Sequence, residues 1–284
     1  MAADANLITY ADLAQVQNVE FVNKFDGNIN KLMQVLGILQ PITMAPGTQL
    51  NIYKTSGTLK TAAVAEGDEI PLSKYSNVLA ASPVLTFGKY RKATSIESIQ
   101  KRGYDQAVTK TDNKMVRDIQ KGIRTSIYTF LATGTGTATG TTFQIAIANA
   151  WAALQTKFED DDATPVYFVN PLDIAGYLGT AAVTLQTAFG FSYIENFLGL
   201  GTVIVASDVP QKTVYATAQE NLNLYNADLT GLDGFDMYSD ETGYIAVAHD
   251  TVLKNGTLET IAYTGLGLFP EYLDRIVKAT VAAA

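Results

Sequence analysis

Apolar positions recur along this chain at two spacings, and the switch between them marks its elements. Over residues 105–131, Val108, Met115, Ile119, Ile123, Ile127 and Phe130 share one face at helical spacing, with Gly122 as the only glycine and no proline. The pattern predicts a helix about 40 Å long at 1.5 Å per residue. Lys110, Lys114, Arg117, Lys121 and Arg124 form a basic stripe roughly opposite. Phe143, Ile147, Ala150, Trp151, Leu154 and Phe158 predict a second helix, which ends in the acidic run Glu159, Asp160, Asp161 and Asp162. Ile29, Leu32, Met33 and Leu36 predict a short amphipathic helix, capped by Asn28 and closed by Gly37 and Pro41. Residues 1–27 read as a polar arm in which Leu13, Val16 and Val19 offer at most a weak helix.

The other spacing is that of strands. Val166 to Val169 is a buried-strand pattern. Asn170, Pro171 and Asp173 then start a helix: Asn caps, Pro takes the first helical position and Asp lies in the first turn. Residues 203–206, 214–217 and 222–225 read as further strands, and 272–281 as a last one. Residues 244–249 and 258–263 flank Asn255-Gly256, a strong hairpin signal. The Thr/Gly-rich run 132–142 reads as a flexible link and a domain boundary.

Residues 49–93 cannot stand alone. Two extended limbs, 49–55 and 84–93, are joined by a small and polar stretch, 56–82, whose Leu59, Val64, Ile70, Leu72, Val78 and Leu79 are too sparse for a core. An isolated two-stranded ribbon is marginal in water, and a long structureless loop is suspect in a compact domain. The arm is expected to lie on another copy of the chain.

Composition sharpens this. With 284 residues, 47% hydrophobic and a mean hydropathy of +0.08, the chain can bury a sizeable core. A net charge of −8 disfavours wrapping nucleic acid. The absence of Cys excludes disulfides and thiolate metal sites. The first residues show no signal-peptide pattern and no apolar run is long enough to span a membrane, so assembly in a cytoplasm is expected.

Catalytic patterns are scarce. His249 is the only histidine, and its neighbour Asp250 points to the opposite face of a strand. Gly134, Gly136 and Gly140 lack the spacing of a phosphate loop. The run 159–162 lacks the alternation of a calcium loop. No cofactor, metal or catalytic residue is expected. The basic stripe is either a solvated face or a contact for acidic surface on a neighbour or a scaffolding factor. Glu66, Asp68 and Glu69 form a charged tip on the arm, placed to meet Lys or Arg of the neighbour it overlies.

The order of these parts resembles the major capsid proteins of tailed bacteriophages, whose fold encapsulin nanocompartments share. Residues 62–71, a small-residue run leading into Glu66-Gly67 and Ile70-Pro71, look like the extended-loop phrase of such proteins. Residues 166–171 resemble the strand-to-helix step of their apical domain. The resemblance implies an α+β capsid fold: an N-terminal arm and short helix over 1–40, an extended loop over 41–93, a peripheral domain with the spine helix over 94–135 and 250–284, and an apical domain over 136–249. It implies pentamers and hexamers on an icosahedral lattice around double-stranded DNA, held without sequence-specific contact and without a membrane. Scaffolding and portal proteins would assist assembly, the scaffold being separate or already cleaved, and the cytoplasm would then be that of the host. Some relatives cross-link a loop Lys to a peripheral Asn. Lys54, Lys60, Lys74 and Asn255 match no such motif, so no cross-link is favoured. An encapsulin-type shell and, more remotely, an acid-pair hydrolase are the alternatives.

Overall fold

The computed structural model describes residues 10–38, 41–61, 69–158, 163–179, 185–188, 191–230 and 235–282. It opens on a helix longer than the sequence stripe: α1 runs unbroken over Tyr10–Leu36. Phe21, Val22 and Phe25 are buried with Ile29, Leu32 and Leu36, so the apolar face extends two turns upstream of Asn28. For residues 10–27 the expected arm is therefore corrected to helix, and Asn28 lies within it. Gly37, at φ +68°, ends it in the left-handed conformation that favours glycine.

After β1 (Ile42–Met44) comes the ribbon, β2 (Ile52–Thr58) against β3 (Lys74–Ala81), antiparallel. The return limb expected at 84–93 is corrected. Only its start pairs with the first limb, through the Gln49–Val84 bridge and the backbone bonds Leu50 N–H to Pro83 O and Leu85 N–H to Thr48 O, while β4 (Gly88–Ser95) pairs elsewhere. The cause is its alternation: Tyr90, Lys92 and Thr94 turn inward onto the body, whereas β3 is exposed along almost its whole length.

Ser95 caps α2 (Ile96–Arg102). A π-helical turn over Asp105–Thr109 leads into α3 (Lys110–Leu131), so the expected spine helix is present. It buries Ile119, Ile123, Ile127 and Leu131. The run 132–142 is corrected from link to structure: β5 (Gly136–Gly140) pairs in parallel with β15 (Val277–Val281). Thr142 caps α4 (Phe143–Lys157), in which Trp151 departs from the apolar face and is 37% exposed. The acidic run 159–162 lies outside the described residues. β6 (Pro165–Val169) is buried throughout. Asn170 then caps α5 (Pro171–Leu178) as expected, its Oδ1 accepting the Leu172 N–H at 2.9 Å. The remaining strands are β7 (Gln186–Ala188), β8 (Phe191–Ile194), β9 (Thr202–Val205), β10 (Thr213–Ala218), β11 (Leu222–Ala227), β12 (Ile245–Val252), β13 (Thr257–Thr264) and β14 (Leu266–Pro270).

Among the described residues these strands form four sheets: β5-β15-β10-β6-β9-β8-β7, β12-β13-β4, β1-β11-β14, and the ribbon. Strands from 136–249 and from 250–284 pair in the first of them, because β15 fits between β5 and β10. One core joins α1, α3, β12 and the inner faces of β6 and β11. A second packs α4 and α5 on the opposite side of the seven-stranded sheet.

Candidate functional site: an assembly surface and the anchors of the N-terminal helix

Ile52 is buried at the base of the ribbon, but Tyr53, Leu59, Ile70, Leu72, Tyr75, Val78 and Leu79 are all at least half exposed. The alternation that would put one face of a strand indoors is absent in β3. The ribbon thus carries apolar side chains that the rest of its own chain does not cover. At its tip Glu69 is exposed, and Glu66 and Asp68 lie outside the described residues.

The basic stripe lies on the outer face of α3. Lys110, Lys114, Arg117 and Lys121 are exposed and Arg124 is half-buried. Lys114 forms an ion pair with Asp118, one turn on, which offsets part of the stripe's charge. Lys24 of α1 donates to Asn113 Oδ1 at 3.3 Å and so joins the same surface. Lys60, Lys74 and Asn255 are exposed. No side-chain position is described for Lys54.

A polar cluster that the sequence did not single out sits beneath this surface. Asp112, on the inner face of α3, is 5% exposed. Its Oδ1 accepts from Lys92 Nζ of β4 at 2.5 Å and from Thr260 of β13 at 3.1 Å. Its Oδ2 accepts from Gln17 of α1 at 2.7 Å and lies 3.2 Å from His249 Nε2 of β12. The other ring nitrogen of His249 contacts Asn18 of α1. Burial pushes the Asp112 carboxyl up, but hydrogen bonds and charge from His249 and Lys92 outweigh it and hold the group below the usual carboxylate range. His249 therefore pairs with Asp112, not with exposed Asp250. Thr260, the hydroxyl that also donates to Asp112, is fully buried, and through Gln17 and Asn18 the cluster anchors α1. Glu259 of β13 makes a second ion pair, bidentate to Arg91 at 2.8 and 2.5 Å. Because Asp112 and Lys92 sit in separate elements, no spacing in the chain signals their meeting.

The fold recurs in solved structures. A cyanophage A-1(L) capsid superposes with a TM-score of 0.56 at 12% identity, covering 89% of this chain and 93% of that one. A virus-like particle from Pyrococcus furiosus gives 0.51 at 14% identity, covering 96% and 100%. The capsid of cyanophage P-SCSP1u gives 0.52 at 8%, covering 86% of each chain. This is the tailed-phage capsid fold. No family model and no curated protein matches the sequence. Within the capsid fold, the α1 anchors described above tie the N-terminal helix to the spine and to the three-stranded sheet in one network.

Proposed function

We propose that this chain is a major capsid protein, a subunit that closes with its own copies, as pentamers and hexamers, into an icosahedral shell around double-stranded DNA. The ribbon carries this reading. Tyr75 is 59% exposed and Val78 58% on β3, and Leu72 and Ile70, just before that strand, are 85% and 71% exposed; a two-stranded ribbon is marginal without a partner. Contiguous exposed apolar surface marks an interaction site, and a second copy of the chain is the partner that removes it from water. Stable contacts need on the order of 1,000 Å² of buried area. Many such heterologous contacts, each of modest strength, close a lattice when the rotation between copies is fixed.

The same reading assigns the other parts. The three-stranded sheet with α3 is the peripheral unit, and the seven-stranded sheet with α4 and α5 is the apical one. The basic stripe of Lys110, Lys114, Arg117, Lys121 and Arg124 meets acidic surface on a neighbour or on a scaffolding protein, and the tip at Glu66, Asp68 and Glu69 meets basic surface on the subunit it overlies. The role is mechanical, not catalytic. The virion reading draws support from the cyanophage capsids among the solved structures of the same fold, a fold that shell proteins of both kinds share.

Deleting residues 56–82 tests the central claim. The shortened chain is expected to stay soluble and to sediment as a monomer or small oligomer, while the full chain gives megadalton particles. Normal shells from the deletion in negative-stain micrographs would overturn the reading.

A further inference from the structure

A second polar contact fastens α1, about two turns beyond the Asn18 anchor. Asp26, on the buried face of α1, is 6% exposed. Its carboxyl and that of Asp240, in the loop entering β12, meet at a single hydroxyl, that of Thr242. One hydroxyl has one proton to donate, so it cannot satisfy two ionised carboxylates at once, and the second stays unpaired unless it carries a proton of its own. Thr242 Oγ1 lies between them, 3.2 Å from Asp26 Oδ2 and 2.6 Å from Asp240 Oδ1. Asp240 Oδ1 also accepts the Thr242 N–H at 3.0 Å, and the Gly243 N–H donates to the Asp240 backbone carbonyl at 3.3 Å. Asp26 Oδ1 is buried and receives no hydrogen bond. The two groups are therefore unlike: Asp240 is furnished with donors suited to an anion, and Asp26 is the side that keeps the proton.

We propose that the Asp26–Asp240 pair is a proton-operated latch, closed while the two carboxyls share one proton and loosened when that proton leaves, which holds α1 against the loop that leads into β12.

The charges around the pair agree with this role. Burial, then the carboxyl of Asp240, push the Asp26 carboxyl up to about 8. Burial pushes Asp240 up as well, but the carboxyl of Asp26 and the hydrogen bonds from Thr242 outweigh it and hold Asp240 low. Tyr244, at the start of β12, is raised by burial and then by both carboxylates. Asn226 of β11 donates to Thr242 O at 3.3 Å. The titratable groups that α3 and β12 turn toward α1, Asp112 and His249, meet it at Gln17 and Asn18. Lys24 of α1 is directed to Glu20 and Asn113. Among the described residues, no lysine or arginine acts on Asp26, so nothing but a proton offsets the second negative charge.

The sign follows from linkage. Asp26 binds its proton more tightly in the folded chain than in the unfolded one, where a carboxyl titrates near ~4. Its contribution is complete below about pH 4 and is lost as pH rises through about 8. Amide exchange in the full chain, corrected for intrinsic rates and followed near pH ~5 and pH ~9, reads this directly. Protection over residues 16–36 is expected to fall about tenfold or more at the higher pH, while that of β6 and β10 holds. Asp26→Asn, which keeps a donor for Asp240 and cannot ionise, is expected to hold its protection at both and to melt above the wild type at pH ~9. Asp240→Asn is expected to shrink the pH effect, since the charge that holds the Asp26 proton is gone. A wild type with no such loss, or an Asp26→Asn chain that loses protection equally, overturns the latch. So does recovery at high pH with millimolar calcium, which would make the pair a cation site.

Discussion

Asp112 and Asp26 are both buried acids that hold α1, and they respond to pH in opposite senses. Asp112 is held low by His249 and Lys92, so its contribution is present above about pH 4 and is lost as pH falls below that value. Asp26 is held high, and its contribution is lost as pH rises. Truncating Asp112 leaves Lys92 and His249 facing an empty acceptor. Removing one member of a buried charged pair costs roughly 3–5 kcal/mol, and Lys92, with its side chain 20% exposed, places this site toward the lower figure. Asp112→Ala is therefore expected to lower the urea midpoint of unassembled subunits by the equivalent of about 3 kcal/mol. Asp250→Ala, at an exposed strand position, is expected to change it by less than about 0.5 kcal/mol. None of these roles was legible residue by residue. Asp112 reads as one polar position in an amphipathic helix, and His249 reads as an ordinary strand residue. Their meaning comes from partners on other elements, 137 positions apart for that pair.

Among the elements, long periodic segments were legible and glycine-rich ones were not. The spine helix and α4 stand where their apolar stripes put them, and Asn170 caps α5 by local chemistry alone. The Thr/Gly run was misread because small residues serve a tight edge strand as well as a flexible link. A Cβ on Gly140 would lie 2.3 Å from the Ala146 amide nitrogen at the start of α4, and one on Gly136 would lie 2.8 Å from Ile276 O. Gly140→Ala is accordingly expected to cost about 1–3 kcal/mol, as overpacking does, and to lower Tm by several degrees in a calorimetric scan. A true linker would tolerate the change. The ribbon was legible as an unsupported element, but its register was not. Its return strand is β3, because the alternation of β4 matches a sheet that only the folded body provides.

Across the whole molecule, the surface rather than the core bears on assembly. Lys110→Glu, Arg117→Glu and Lys121→Glu together are expected to leave the subunit folded, each exposed change being worth within about 0.5 kcal/mol. The same triple reversal is expected to reduce shell yield or scaffold binding and to change its dependence on salt. Unchanged yield and salt dependence would mark the stripe as a solvated face. By itself the sequence determined the spine helix, the cap and strand around Asn170, the late hairpin, and a ribbon with too little apolar material to stand alone. These follow from periodicity and turn chemistry, which act over a few residues. Only the tertiary structure decided that α1 is a docked helix, that the Thr/Gly run is a strand, and that Asp26, Asp112 and His249 are its anchors. Each of those depends on surface brought from distant parts of the chain, and burial and pairing arise only once that surface is in place.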